Sequence, residues 1–250
     1  MGNGSGTNGT LTPTQQATDR ADFMKRFFAI AISIGFASQL DKAFAWASAF
    51  RWPSSTELGV DCLLICAIIV SIGSWEAYFK SLKNTPLNDW PRFYSDVATV
   101  SLYVLLFKSV SNFDAFRLYL VLIYINYVIW NVLSIHINPV KYDISDRSFR
   151  SVSGLFFVGF TSWGKNSKVR GPFLVLFWLI VICMSMFLHE LLNTPVFWAA
   201  LMLATSHIIY RMDLGQPFPM WQRCARAAMV LGLVAVGTIF IRGLSCLLAD

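Results

Sequence analysis

Apolar residues occur along this chain in long stretches that short polar segments interrupt. A helix needs about twenty apolar residues to cross a hydrocarbon core of ~30 Å. Seven stretches approach or reach that length, at residues 27–48, 59–79, 93–111, 115–137, 172–192, 195–212 and 227–248. The pattern predicts an all-α fold, namely a polytopic integral membrane bundle of about seven transmembrane helices.

Two of these stretches are less regular than the others, so six spans are the alternative. Asp41 and Lys42 interrupt the first stretch, and the sixth stretch is short. Residues 1–22 are rich in Gly, Ser, Thr and Asn and have no apolar centre, as a disordered tail does and a signal peptide does not. We therefore predict a disordered cytoplasmic tail at 1–22 and a transmembrane bundle over 23–250.

The composition supports a lipid environment for most of the chain. Of the 250 residues, 56% are hydrophobic and 14% are charged, and the mean hydropathy is +0.55. A soluble domain carries about 25% charged residues, so an ordinary soluble globule is excluded. The net charge of +6 needs no nucleic-acid partner, because Lys and Arg collect in the cytoplasmic loops of membrane proteins.

The distribution of basic residues predicts how the bundle is oriented. If the N-terminus is cytoplasmic, fifteen of the twenty Lys and Arg residues fall at the inner side and three at the outer side. This asymmetry follows the positive-inside bias. We expect the protein in the plasma (inner) membrane, in contact with the lipid bilayer, with the N-terminus inside and the C-terminus outside.

The longest connection is a basic cytoplasmic loop at residues 138–171. It contains an apolar segment at 152–163, which is too short to span a bilayer. This segment is interpreted as an interfacial helix, with a re-entrant segment or a docking surface as alternatives. The cations of the loop are Lys141, Arg147, Arg150, Lys165, Lys168 and Arg170.

Two carboxylates fall near the cytoplasmic ends of neighbouring predicted spans. Glu76 lies late in the second span and Asp96 lies early in the third. A charge in hydrocarbon costs about 2.5–3.5 kcal/mol at mid-span, so such a pair is a candidate site for a cation or a proton. The alternative is local pairing along each helix, of Glu76 with Lys80 and of Asp96 with Arg92.

A second group of ionisable residues is expected near the outer side. Asp41 is too short to extend its carboxylate far toward water, and its expected partner is Lys42 or Arg117. Glu190 ends the fifth span at a similar depth. Arg242 lies deep in the seventh span and keeps its charge, so it needs an acid such as Asp41 or Glu190.

Two uncharged polar residues complete the candidates for transport or gating. His207 shares a helix face with Arg211, where it would shuttle protons or form a buried hydrogen bond. Asn126 lies in the fourth span, where it would line a polar path or hold neighbouring helices together.

No enzyme signature accompanies these residues. The chain has no HExxH, GxSxG, phosphate-binding glycine loop or DxxxD motif, and its five cysteines form no CxxC pair. We expect no cofactor and no metal site.

A channel or secondary transporter for protons, cations or small solutes is the first hypothesis for function. The alternative is a membrane-embedded sensor or effector that responds to a cytoplasmic protein or small ligand at the basic loop. An intramembrane enzyme or assembly factor is third, and a homo-oligomer is compatible with each.

Overall fold

The computed structural model describes residues 13–84, 89–137, 170–214 and 220–247. These residues form helices and turns, and they contain no strand. We number the helices in chain order as α1 (Pro13–Ala37), α2 (Ala45–Ser48), α3 (Ser55–Asn84), α4 (Trp90–Lys108), α5 (Phe113–Ile137), α6 (Arg170–Leu192), α7 (Val196–Leu214) and α8 (Met220–Leu247). The all-helical prediction is therefore confirmed for the described part of the chain.

Three of the helices are long and apolar enough to cross a membrane. They are the segments Ser55–Phe79 of α3, Phe113–Ser134 of α5 and Phe173–Leu192 of α6. Large apolar side chains also cover much of the outer surface: Phe187, Leu191 and Ile239 each expose more than half of their area. Such a surface suits lipid better than water. These features are consistent with a membrane protein.

The first predicted span is not one continuous helix. α1 ends at Ala37, turns occupy residues 38–44, and only the short α2 follows. The Ser38 hydroxyl bonds back to the carbonyl of Gly35 at 2.7 Å, and Phe44 has a left-handed backbone with a φ of 56°. Polar residues at 38–42 thus end the helix where the apolar pattern alone continues it. The prediction of a span over 27–48 is wrong in this respect.

The boundary of the predicted N-terminal tail also differs from the structure. Residues 13–22 belong to α1, which begins at Pro13. Proline suits the first turn of a helix because its missing N–H would have no partner there. An ion pair between Asp22 and Lys25, at 2.8 Å, supports the same polar turn. Polar composition therefore does not prevent a helix at 13–22, and residues 1–12 lie outside the described part.

Six helices close into a ring. α1 packs against α3 and α4, α4 against α5, α5 against α6, α6 against α7, and α7 against α3. α8 lies outside this ring, against α6 and α7. Leu64, Tyr103, Tyr124 and Trp178 are fully buried in the core. The ring has an interior in which side chains from helices distant in sequence meet.

Side-chain caps set where several of these helices begin. Asp89 precedes α4 and accepts a hydrogen bond from the backbone N–H of Arg92 at 2.9 Å. Asn112 does the same for Ala115 at the start of α5, at 3.1 Å. A capped N-terminus satisfies amides that have no partner within the helix. The caps fix the residues at which α4 and α5 begin. Both helices contribute side chains to the candidate site.

A buried carboxylate holds α6, α7 and α8 together. Asp213 accepts a hydrogen bond from the indole nitrogen of Trp178 at 3.1 Å, and it pairs with Arg226 at 2.6 Å. Trp178 lies on α6 and Arg226 on α8, whereas Asp213 is near the end of α7. One acid thereby fixes the position of α8 against the ring.

We expect Asp213→Ala to lower the stability of the protein by about 1–3 kcal/mol, the cost of leaving buried donors without their acceptor. The measurement is thermal unfolding of the purified protein in detergent. Asp114→Ala is the matched control, because Asp114 is 78% exposed and only an exposed ion pair is lost. Equal unfolding midpoints of the two variants would contradict the assigned role of Asp213.

Candidate functional site

A cavity of about 210 Å³ opens between α1, α3, α4, α5 and α7. At ~30 Å³ each, roughly seven water molecules would fill it. Its polar wall consists of Ser74, Asp96, Thr99, Asn131 and Arg211, and its aromatic wall consists of Phe28, Tyr78, Tyr103, Tyr127, Trp130 and Tyr210. We call this space the Asp96–Arg211 cavity.

The cavity lies toward one end of the ring. The later parts of α3, α5 and α7 contribute to it, together with the early part of α4 and the middle of α1. Because consecutive helices of a bundle run in opposite directions, these segments come together at one level. The sequence places Asp96 and Arg211 far apart, and the packing of the ring brings them to the same space.

Arg211 forms the more extensive of the two charged walls. Its Nη2 donates to the hydroxyl of Ser74 at 2.6 Å and lies 3.3 Å from that of Tyr127. Its Nε lies 3.2 Å from Nε2 of His207. The guanidinium carbon is 5.2 Å from the ring centroid of Tyr127 and 5.0 Å from that of Tyr210. Three helices therefore supply the partners of one cation.

These partners are all neutral. Among the described residues, no carboxylate lies within ion-pair distance of Arg211. Hydroxyl dipoles and ring faces stabilise the charge instead, and a desolvated cation–π contact contributes about 2 kcal/mol. The guanidinium keeps its positive charge because an arginine does not lose its proton in a protein. This wall of the cavity is consequently attractive to an anionic group.

The tyrosines around Arg211 are ordered by a directional chain of hydrogen bonds. The Ser74 hydroxyl donates to the carbonyl of Val70 at 2.6 Å, so it accepts from the adjacent Tyr127 hydroxyl. The Tyr103 hydroxyl lies 2.5 Å from that of Tyr127. Because Tyr127 already donates its proton to Ser74, Tyr103 is the donor in this second hydrogen bond. In this order the hydroxyl lone pairs at Ser74 and Tyr127 remain available to Arg211, which can only donate.

His207 supports Arg211 from outside the cavity lining. Its Nε2 accepts from Arg211, so a neutral ring carries its proton on Nδ1 and donates to the Tyr124 hydroxyl at 2.8 Å. His207 and Tyr124 are both buried. The interpretation of His207 as a buried, hydrogen-bonded histidine agrees with these contacts. No described contact gives it a path for moving protons.

Asp96 is the second charged residue that lines the cavity. Only 5% of the residue is exposed, and its Oδ2 has no hydrogen-bond partner among the described residues. The Tyr78 hydroxyl and the Trp130 indole N–H are close enough to interact with the carboxyl, but neither meets the geometry of a full hydrogen bond. A buried carboxylate oxygen left in this state is costly, and it faces a cavity that admits a donor.

The cation next to Asp96 has a carboxylate of its own. Arg92 is buried, and its Nη1 lies 3.7 Å from Asp89. Its guanidinium carbon also lies 5.1 Å from the ring centroid of Trp130. The predicted local ion pair of Arg92 with Asp96 does not form, because the cap of α4 brings Asp89 to Arg92 instead. Asp96 therefore remains available to the cavity.

The other candidates that the sequence predicts for the cytoplasmic side do not line the cavity. Glu76 is exposed on α3 and is not part of the cavity lining, so the two carboxylates do not form a shared site. Asn126 donates to the carbonyl of Ser95 at 2.8 Å and to the hydroxyl of Thr99 at 2.5 Å. Asn126 therefore links α5 to α4, as the interhelical interpretation predicts.

The candidates at the opposite end of the bundle form a separate cluster. Arg117 pairs with Glu190 and, at 3.0 Å, with Asp114. Asp41 is exposed in the turn after α1 and is not the partner of Arg117. Arg242 lies in α8, but its side chain is outside the described residues. So are Lys141, Arg147, Arg150, Lys165 and Lys168, and the side chain of Arg170.

Sequence reasoning did not select most of the residues around Arg211. It placed Arg211 at the end of the sixth predicted span, on one face with His207, but counted it among the inner cations and did not single out Ser74, Tyr103 or Tyr210. A signal was present, because Arg211 falls within the span predicted at 195–212. Helical spacing from His207 was noted, but it does not reveal which other helices face that pair.

The donor set of the described residues does not suggest a metal centre. They contain no group of three or more His, Cys, Asp or Glu side chains that could hold an ion. Comparison of the chain with protein-family models, with curated proteins and with solved structures finds no match in any of the three. The residues of the cavity are therefore the basis for a functional proposal.

We expect Tyr124→Phe to destabilise the protein, because the variant leaves the buried Nδ1–H of His207 without an acceptor. The expected loss is about 1–3 kcal/mol, measured as a lower midpoint of thermal unfolding in detergent. Tyr94→Phe is the matched control, since Tyr94 is 63% exposed. If the two substitutions shift the midpoint equally, the hydrogen bond between Tyr124 and His207 does not stabilise the site.

Proposed function

We propose that the protein is a membrane carrier, a secondary transporter that binds a small solute in the Asp96–Arg211 cavity. The observation behind this proposal is a buried carboxylate oxygen without a hydrogen-bond partner among the described residues, in a cavity that a partly buried arginine also lines. Charges inside an apolar bundle reduce its stability. Two such charges beside one cavity are therefore expected to bind a solute.

The lining of the cavity leads us to propose a carrier in preference to a channel. A channel needs a continuous aqueous path, whereas a carrier needs a closed site that opens to one side at a time. Much of the cavity wall is aromatic, and it includes the buried side chains of Tyr103 and Tyr210.

We propose a bundle of seven spans in the plasma membrane, with the broken α1–α2 segment as the first. α4 and α7 have 19 residues each, which at 1.5 Å per residue gives about 28 Å and suffices for a hydrocarbon core. With the N-terminus cytoplasmic, the ends of α3, α5 and α7 face the cytoplasm. The Asp96–Arg211 cavity then lies near the cytoplasmic side, and the Arg117–Glu190 cluster lies near the outer side.

This arrangement assigns distinct roles to the two ends of the molecule. In this proposal Asp96 and Arg211 both bind the solute, and the aromatic residues exclude water around it. The ion pair of Arg117 with Glu190 joins α5 to α6 at the outer end. Opening toward the outside would require that contact to break, so it serves as the outer gate in this proposal.

A counterflow assay tests the proposal on whole classes of solute. Proteoliposomes are loaded with pools of unlabelled alkylamines, carboxylates or amino acids, and uptake of labelled members of the same pool is followed. A carrier accelerates tracer uptake when unlabelled solute is inside, because the loaded site returns faster. We expect such acceleration for one pool, and we expect Asp96→Asn to reduce it at least about tenfold.

Glu76→Gln is the matched control, because Glu76 is exposed on α3 and outside the cavity lining. It should leave counterflow unchanged. Tracer uptake that internal solute does not accelerate would indicate a channel. Absence of uptake for all three pools, or full activity of Asp96→Asn, would contradict the proposed function.

A further inference from the structure

We infer that the Asp96–Arg211 cavity selects a small zwitterion, a solute that carries both an ammonium and a carboxylate group, as an ω-amino acid does. This inference rests on the proposed function, since it names the class of solute that the carrier binds. It depends on the two buried charges of the cavity, which have opposite sign and do not pair with each other.

The Arg211 wall matches a carboxylate. Its hydrogen bonds to Ser74, Tyr127 and His207 come from Nε and Nη2. The described residues provide no hydrogen bond to Nη1, which belongs to a side chain that lines the cavity. The two N–H groups of Nη1 can therefore donate to a carboxylate oxygen, and a hydrogen bond between two ionised groups is roughly twice as strong as one between neutral groups.

The Asp96 wall matches an ammonium group. The unpartnered Oδ2 can accept a hydrogen bond from a ligand N–H. Tyr78 and Trp130 interact with the same carboxyl and also line the cavity, and Arg92 already lies over the Trp130 ring. A carboxylate surrounded by aromatic rings recognises a cationic nitrogen through charge and through the quadrupoles of the rings.

The charge balance of the whole cavity favours a solute with both groups. With Asp96 ionised, Asp89, Arg92, Asp96 and Arg211 contribute two negative and two positive charges in and beside the cavity, which sum to zero. A simple amine would neutralise Asp96 and leave Arg211 without a counter-ion, and a simple carboxylate would do the reverse. In a low-dielectric site each remaining charge is costly. A zwitterion satisfies both charges and adds no net charge to the bundle.

Asp96 and Arg211 contact different residues of the cavity. Asp96 interacts with Tyr78, Trp130 and Arg92, whereas Arg211 bonds to Ser74, Tyr127 and His207. The two ends of a zwitterion would therefore bind at different groups of residues. Zwitterions of different chain length measure how far apart these groups lie.

The test is a binding experiment on the purified full-length protein in nanodiscs, with isothermal titration and thermal stabilisation as readouts. The probes are glycine, γ-aminobutyrate and 5-aminovalerate, together with n-butylamine and butyrate, which carry one charge each. We expect the wild type to bind γ-aminobutyrate or 5-aminovalerate about 10- to 100-fold more tightly than n-butylamine or butyrate, and glycine serves as the probe of chain length. That range corresponds to one charged hydrogen-bonded contact.

Substitutions of Asp96 and of Arg211 are expected to remove different binding preferences. Asp96→Asn should lose the advantage of the zwitterion over butyrate, and Arg211→Gln should lose its advantage over n-butylamine. Because Arg211→Gln removes several buried contacts and is a folding risk, Arg211→Lys is the second variant. It keeps the charge without the planar fork and should bind the zwitterion more weakly but still prefer it to n-butylamine. Glu76→Gln should behave as the wild type does.

The outcomes separate this inference from the proposed function. If n-butylamine or butyrate binds as tightly as the ω-amino acids, or if none of the five probes binds, the zwitterion inference is wrong. Counterflow of an amine pool or a carboxylate pool would then still support a carrier. If the ω-amino acids bind as expected but show no counterflow, the inference holds and the protein is a receptor instead of a carrier.

Discussion

The organisation of the bundle depends on one buried cation. Arg211 cannot give up its charge, so the surrounding helices must compensate for it, and they do so with neutral groups. Ser74 comes from α3, Tyr127 from α5, and His207 and Tyr210 from α7 itself. Each of these contacts fixes the rotation of a helix about its own axis. The same rotation directs Tyr103, Thr99 and Asp96 of α4 toward the interior, because Tyr103 hydrogen-bonds to Tyr127. The cavity is the space that remains between these fixed faces.

The second charged residue of the cavity is an acid, so the cavity contains one acidic and one basic side chain. Asp96 and Arg211 both line the cavity, and Arg92 lies within ion-pair distance of Asp89. An apolar bundle with an acidic and a basic residue in one cavity is suited to bind a solute. Arg117 and Glu190 form an ion pair away from the lining of the cavity. The proposal of a carrier rests on the cavity and not on this ion pair.

The sequence was informative about the elements and less so about their contacts. Apolar stretches predicted the positions of α3 to α8 to within several residues, because helix formation in such stretches depends on local pattern. The turn after Ala37 was missed as an end of the helix, since polar residues at 38–42 interrupt an otherwise apolar stretch only briefly. Asp96 was selected because an acid within a span is unusual. Arg211 was counted among the inner cations, and Asp61, whose carboxylate accepts hydrogen bonds from Phe44 and Trp46, was not singled out. Packing determines which helices are neighbours. The spacing of residues along one helix does not show which other helices it will contact.

The central claim is that a solute-accessible cavity lies inside one chain and opens toward the cytoplasmic side. Cysteine accessibility tests it most directly, in a background in which the five native cysteines are replaced. Ala77 lines the cavity, and Ala98 is exposed on the outer face of α4. In sealed vesicles of known orientation, Ala77→Cys should react with a membrane-impermeant, charged thiol reagent applied from the cytoplasmic side, and Ala98→Cys should not react from either side. Absence of reaction at Ala77→Cys from the cytoplasmic side, or equal reaction of the two variants, would contradict the account.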